Sequence, residues 1–576
     1  MATHVLEGKC GSTQFKMLLD KDVEIRLRDG AIVRADVYRP ESSGRCPALV
    51  TYGPYGKDSH ISQFMGSDTW ERLKSRRPGI TGGTSGKYIV FERPNPEQWV
   101  LHGYAVVHVD CRGAGRSPGK LDVNSPQEFR DFHDAIEWAG VQPWCNGKVG
   151  LLGISYYAAG QWMVASYRPK YLAAILPWSG TCDFYRDRTR HGGIFVNGFV
   201  HRWWTRSVLN NQYGNPHTRC TDFINGERST GEAALSEEQL AANRSDYIES
   251  VRAHPLLDVW YRQRSGELGN IDVPALVVSN WGGLGLHLRG TIQGFLGIAS
   301  KQKWLKVQTG PYFATFFESA DLQRRFFDRT LKGIDNGWDS EPRVDLTVRS
   351  ADDGIHRQLQ AADWPVPGTQ FTRLHLDASS RTLGFEPPKA GAQLSYAALG
   401  EGVTFSTAPI GRDMEIAGPL KAKLQLACSL PDMDLFCTVV GFDPAGREIS
   451  FAANEGRIPL SQGWLRITQR KLDAARSSAW QPVHTHDERQ PLRSGAIVEA
   501  EVEVWPTAVH LPKGSRIALV LQGEDWAGLA QPESSTSNVF THTDPVDRPP
   551  EKYSGEHTVH TGGGTDCYLQ IPVIPS

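Results

Sequence analysis

The chain has 576 residues, with 62 Lys+Arg against 64 Asp+Glu and a formal net charge of −2, which leaves no electrostatic case for nucleic acid or an anionic membrane as a partner. No stretch is long and apolar enough to span a bilayer, and the N-terminus lacks the basic-then-apolar order of a signal peptide. The length calls for two or three domains, and nine scattered cysteines with no CxxC or Cys/His spacing point to a reducing, cytoplasmic setting rather than to zinc or a disulfide framework.

In chain order, VEIRLRDG, AIVRADVYRP and PALVTYGPYGKD within residues 22–58 read as strands broken by turns. A loop-rich segment runs to about residue 98, and GYAVVHVDCRGAGRSPG is then a buried strand entering a glycine-rich turn. EFRDFHDAIEWAG has apolar spacings of three and four and predicts a helix. KVGLLGIS predicts a strand and YYAAGQWMVASY a helix, followed by further short apolar runs in YLAAILPWSG, VPALVVSNWGG and KWLKVQTG. Strands alternating with helices imply an α/β unit with a mainly parallel sheet covered on both faces.

Residues 184–268 break that rhythm with a segment rich in Trp, Tyr, Arg and His, expected to form a helical cap over the C-terminal edge of the sheet. From residue 342 the pattern becomes short alternating strands, VDLTVRS, RLHLDAS, LKAKLQLACS, LFCTVVGFD, AIVEAEVEVWP and RIALVLQG, which predicts a β-sandwich or jelly roll through residue 576. The expected division is therefore 1–183 and 269–341 for the two parts of the α/β core, 184–268 for the cap and 342–576 for the β domain.

The segment GLLGISYYAAG at 150–160 carries the chemistry. An apolar strand, a lone serine and small residues opening a helix have the layout of a nucleophile elbow, with Ser155 exposed on a strained turn. A serine there needs a base to take its proton.

VYRP at 37–40, GPYGKD at 53–58, VDCRGAGRSPG at 109–119, GISYY at 153–157, WGGLGLHLRGT at 281–291, FFDRTLKG at 326–333 and GWLRITQRKLD at 463–473 together resemble the cocaine esterase / X-Pro dipeptidyl-peptidase (CocE/NonD) family of serine hydrolases, in family order across nearly the whole chain. The resemblance implies an α/β-hydrolase fold with an inserted helical cap, then an all-β jelly-roll domain. It also implies action on an ester or amide with no metal or organic cofactor. Ser155 falls on the family's nucleophile. The family's two oxyanion donors map to the Tyr156 backbone N–H and the Tyr55 hydroxyl after Pro54.

The resemblance also shows a degenerate triad. Gly283 stands where the family's aspartate would be, and the loop after KWLKVQTG holds no histidine, with Tyr312 or Ala314 in its place. Asp183, at the end of the preceding strand, is a relocated acid or a cap for the segment after it. His287 is nearest in sequence to a relocated base, and otherwise orders its own helix or contacts substrate. His191 and His201 reach Ser155 only from the cap, and His60 and His102 only over the sheet edge. Trp178 and Trp281, with Phe195, Phe199, Trp203 and Trp204 of the cap, would either line a site for an apolar substrate or simply pack.

Three functions fit. The first is hydrolysis of an ester or amide of a small apolar molecule through Ser155, Tyr55 and Tyr156. The second is a non-hydrolytic cyclisation, elimination or rearrangement in small-molecule biosynthesis on a triad-deficient scaffold, with Tyr312 among the groups holding a carbonyl. The third is a binding protein without catalysis. A small-molecule substrate is the expected partner, and a jelly roll beside a hydrolase domain leaves a homo-oligomer open.

Overall fold

The computed structural model describes residues 3–42, 44–453, 456–527 and 540–575. Its first half is built on one twisted sheet. The strands are β1 (Thr3–Cys10), β2 (Thr13–Arg26), β3 (Ile32–Pro40), β4 (Cys46–Gly53), β5 (Ala105–Asp110), β6 (Cys145–Ile154) and β7 (Leu172–Trp178). A short ladder of β8 (Arg190–His191) and β9 (Ile194–Phe195) intervenes, and β10 (Ala275–Asn280), β11 (Lys303–Gln308), β12 (Val344–Ser350) and β13 (Ile355–Ala361) complete the set. The order across the sheet is β1-β2-β3-β5-β4-β6-β7-β10-β11-β12-β13. The strands from β5 across to β12 are parallel, and both flanks are antiparallel.

Alternation along the strands explains why helices cover both faces. In β6, Val149 and Leu151 pack into one apolar cluster while Leu152 and Ile154 pack into another across the sheet. The helices Pro126–Gly140 and Tyr156–Ser166 form where the spacing predicts them. Ser125 caps the first by accepting the Glu128 N–H at 3.1 Å.

Between β7 and β10 the chain makes short helices, Asn197–Trp203, Glu237–Ala242 and Tyr247–Ala253 among them. Beyond β13 the described structure is dominated by antiparallel strands around a separate apolar core, with Met414–Cys428, Asp434–Phe442, Val498–Leu511 and Arg516–Gln522 at its centre. VDLTVRS, expected to open the β-rich region, is β12. Val344–Leu346 extend the parallel sheet beside β11, while Arg349 and Ser350 pair with Val509 and His510 of the β-rich region. This one strand joins the two sheets. The nine cysteines are free and eight are buried.

Candidate active site

Ser155 sits between β6 and the helix Tyr156–Ser166 at φ 54°, ψ −108°, a backbone conformation that costs a non-glycine residue of order 1–3 kcal/mol. The strain is held from several sides. Ser155 N–H donates to the Trp178 carbonyl at 3.0 Å, and the Ala159 N–H donates to the Ser155 carbonyl at 2.8 Å. Gly153 makes the turn possible, because a Cβ there would lie 2.5 Å from Tyr157 Cβ. The GxS spacing is thus a steric requirement of the elbow. The serine side chain is left half-buried at the C-terminal end of the sheet.

His287 meets it. Its Nε2 lies 3.0 Å from Ser155 Oγ, presented from the first turn of the helix His287–Gly297 that follows β10. The imidazole is 2% exposed, and burial, aided by the nearby Arg188 guanidinium, brings its pKa down to about 3. The N-terminal end of a helix also disfavours a cation. His287 is therefore neutral, and with its hydrogen on Nδ1 the Nε2 accepts from the serine. Nδ1 is buried and has no hydrogen-bond partner among the described residues. His287, weighed in the sequence as a relocated base or as a residue that orders its helix or touches substrate, is thus the imidazole placed beside the Ser155 hydroxyl.

Tyr55 follows β4 in a loop fixed by buried ion pairs. Lys57 Nζ lies 2.9 Å from Asp36 and 2.6 Å from Asp22, while Lys21 Nζ lies 3.2 Å from Asp58 and 2.8 Å from Asp222. Breaking such a set by removing one member strands a buried charge, which accounts for the charged end of the GPYGKD segment. The Tyr55 hydroxyl accepts from Trp203 Nε1 at 2.6 Å. Indole N–H is a donor only, so the phenol hydrogen stays available for another acceptor. Burial, with the Glu92 carboxyl nearby, raises the Tyr55 pKa well above its usual value, which keeps that hydrogen in place. The Tyr156 hydroxyl is spent on Glu128, donating at 2.7 and 2.6 Å to the two carboxyl oxygens.

Two buried groups at the site carry no local sequence signal. Glu92 is 4% exposed and stands at φ 61°, with its carboxyl facing the Ser155 hydroxyl and the Tyr156 N–H. Arg188, also 4% exposed, lies over the rings of Trp203 and Tyr156 at 4.3 and 5.3 Å.

The other expected residues make contacts of their own. Asp183 is turned to capping: it accepts the N–H groups of Tyr185 and Arg186 at 3.0 and 2.9 Å and pairs with the Arg186 guanidinium at 2.6 Å. Tyr312 comes to the site through its ring, which stands edge-on to His287 with centroids 5.0 Å apart. Trp178 is fully buried against Phe316 and gives the elbow its carbonyl, not its ring. Trp281 is spent on the seam with the β-rich region, donating Nε1 to the Thr347 carbonyl at 2.7 Å. His191 lies in the same seam, with Nδ1 3.0 Å from His542 Nε2 and its ring against Trp464. His60 bonds Ser62 and the Gly86 carbonyl, and His102 faces Arg324. Among the described residues no cluster of three or more His, Cys, Asp or Glu is placed to hold a metal, and no helix is long and apolar enough to cross a membrane.

Residues 29–311 match the X-Pro dipeptidyl-peptidase (S15) family and residues 336–570 match the X-Pro dipeptidyl-peptidase C-terminal non-catalytic domain. The chain is 23% identical to the cocaine esterase of Rhodococcus sp. (strain MB1 Bresler), over 96% of this chain and 98% of that one. It is 23% identical to a putative Xaa-Pro dipeptidyl-peptidase of Streptomyces avermitilis, over 76% of this chain and 69% of the relative. A solved CocE/NonD family hydrolase from Staphylococcus aureus superposes with a TM-score of 0.84 at 29% identity, covering 100% of this chain and 97% of that one. An α-amino acid ester hydrolase shares the fold at a TM-score of 0.68 and 16% identity, covering 97% of each chain. With both domains matched in order and Ser155 on its elbow, the chain belongs to the cocaine esterase / X-Pro dipeptidyl-peptidase (CocE/NonD) family of serine hydrolases.

Proposed function

We propose that the protein hydrolyses an ester or amide of a small, apolar molecule, with Ser155 as nucleophile and His287 as its base. The observation that carries this reading is the 3.0 Å approach of His287 Nε2 to Ser155 Oγ, within the reach that general-base catalysis needs. Attack moves the serine proton to Nε2 and the carbonyl electron pair to oxygen, where the Tyr55 hydroxyl and the Tyr156 N–H form the oxyanion hole. The aromatic surround supports an apolar substrate: Trp203 stacks on Tyr156 with centroids 5.9 Å apart, and Tyr55 packs against Phe64 and Phe91. The esterase name of the Rhodococcus relative supports the ester over the peptide. The C-terminal strands are read as a jelly roll on their antiparallel pairing, and the protein as cytoplasmic on its free cysteines.

A fluorophosphonate tests this reading. Ser155 should be labelled in the wild type and not in Ser155→Ala, and p-nitrophenyl acetate should be hydrolysed only by the former. No labelling at high probe concentration overturns it. One observation favours a second reading, a non-hydrolytic rearrangement held by the same donors. Among the described residues His287 Nδ1 has no partner, with Gly283 in the acid's place, so the imidazolium that hydrolysis requires is poorly stabilised.

A further inference from the structure

Glu92 lies in the loop between β4 and β5 and is held more tightly than a loop residue needs to be. Its left-handed backbone at φ 61° is pinned by its own carbonyl, which accepts the Ile154 N–H at 3.1 Å, one residue before the nucleophile. Arg93 beside it is locked by Tyr157 Oη at 2.9 Å, Thr51 Oγ1 at 3.1 Å and the Val109 carbonyl at 3.2 Å. Asn95 donates to Thr84 Oγ1 at 2.9 Å and caps the next helix.

The carboxyl of this strained residue is buried against Ser155 and the Tyr156 N–H. Oε2 has no hydrogen-bond partner among the described residues, and the carboxyl makes no ion pair within 4.0 Å among them. The titratable groups that face it are the Arg188 guanidinium and the phenols of Tyr55 and Tyr157. Burial outweighs the nearby Arg188 guanidinium, so the carboxyl is held well above its usual range, toward its neutral form. A neutral carboxyl has a hydrogen that a carboxylate lacks, and the unpartnered Oε2 is the atom to carry it.

We propose that Glu92 is a third catalytic donor, a carboxylic acid that hydrogen-bonds the substrate oxygen as it becomes negative, beside the Tyr55 hydroxyl and the Tyr156 N–H. This rests on the reading that Ser155 adds to a carbonyl. The Ser155 Oγ–carbon bond forms, the π pair moves to oxygen, and the serine proton passes to His287 Nε2. Glu92 keeps its proton throughout and lends only its hydrogen bond. On collapse the pair returns to the carbon–oxygen bond and the leaving group departs with the proton from His287. Water then repeats the sequence on the acyl-enzyme. In the free protein the Glu92 carboxyl faces the Tyr156 N–H, and an entering substrate oxygen takes that donor. A buried phenol paired with a carboxylic acid kept neutral by an apolar site is a known way to hold an oxyanion.

The test compares Glu92→Gln and Glu92→Ala with the wild type and Ser155→Ala, using p-nitrophenyl acetate from pH ~6 to ~10. Wild-type rate should fall on the alkaline side as Glu92 ionises. Glu92→Gln, which keeps a neutral donor of nearly the same shape, should hold the neutral-pH rate within about tenfold and lose that fall. Glu92→Ala should lose about 10²–10³-fold while Glu92→Gln melts at the wild-type temperature. A wild-type rate that rises with pH, with a limb abolished in an inactive Glu92→Gln, overturns the donor role in favour of a base. Glu92→Ala at full rate while Ser155→Ala is dead overturns this proposal alone, whereas full rate in both overturns the serine reading with it.

Discussion

The imidazole of His287 and the hydroxyl of Ser155 meet at 3.0 Å across 132 residues of sequence, and the imidazole stays neutral because burial and Arg188 bring it down to about 3. A depressed pKa has a definite sign for activity: the base-competent form is lost only as pH falls through the folded value. Labelling of Ser155 by a fluorophosphonate should therefore show no loss of rate between pH ~8 and ~5, where a histidine at its ordinary 6.5 would be mostly protonated by the acid end. His287→Ala should cut the labelling rate by at least about 10². An acid limb with its midpoint near 6.5, removed by His287→Ala, would show that the imidazole is solvated and the pocket open.

Tyr55 has two jobs that one substitution separates. Tyr55→Phe keeps the ring among Phe64, Phe91 and Tyr157 but removes the hydrogen proposed to meet the oxyanion. It also strands the buried Trp203 Nε1, whose recorded acceptor is the Tyr55 oxygen at 2.6 Å. An orphaned buried donor costs about 1–3 kcal/mol, so a modest fall in melting temperature is expected. Hydrolysis of p-nitrophenyl acetate should fall by about 10²–10³ in kcat. Tyr55→Phe/Trp203→Phe restores the apolar match and should recover the melting temperature without recovering the rate. Recovery of both would make Tyr55 a packing residue.

How far the sequence reveals this site depends on whether each signal is local. Ser155 is legible because strand, strained turn and helix are written in eleven consecutive residues, and Gly153 is demanded by a clash inside that stretch. Tyr55 follows the same logic, with its loop clamped by charges two and three residues away. His287 is present in the sequence, but its role depends on which way its helix leaves β10, and no spacing encodes that direction. Asp183 shows the same limit in reverse, since an aspartate before a helical turn reads alike as an acid or a cap, and here the Arg186 pair takes it. Glu92 has no periodic neighbours at all; only its left-handed backbone and burial set it apart, and both are properties of the folded chain. The strand VDLTVRS has the alternation of the β-rich region, and alternation does not say which sheet a strand joins.

An acid can be offered to His287 at the position that the sequence resemblance marks. Gly283 closes the turn Trp281–Gly283 after β10, and a Cβ there would lie 3.3 Å from both His287 Cβ and Leu288 N. That is tight by a few tenths of an ångström, within what the start of a helix can absorb by a small shift. A carboxylate on that carbon begins beside the imidazole whose buried Nδ1 has no partner among the described residues. Once ionised it would favour the imidazolium, opposing Arg188 and lifting His287 from about 3. Gly283→Asp should then raise the fluorophosphonate labelling rate at neutral pH by at least about tenfold, toward the ~10⁴ that loss of the acid costs a complete triad. The acid limb of the pH profile should move upward with it. Gly283→Asn, equal in size and uncharged, should give no such gain. Equal rates for the two variants would mean that the added group does not reach Nδ1, and that the imidazole is walled off on the side where Tyr312 stands.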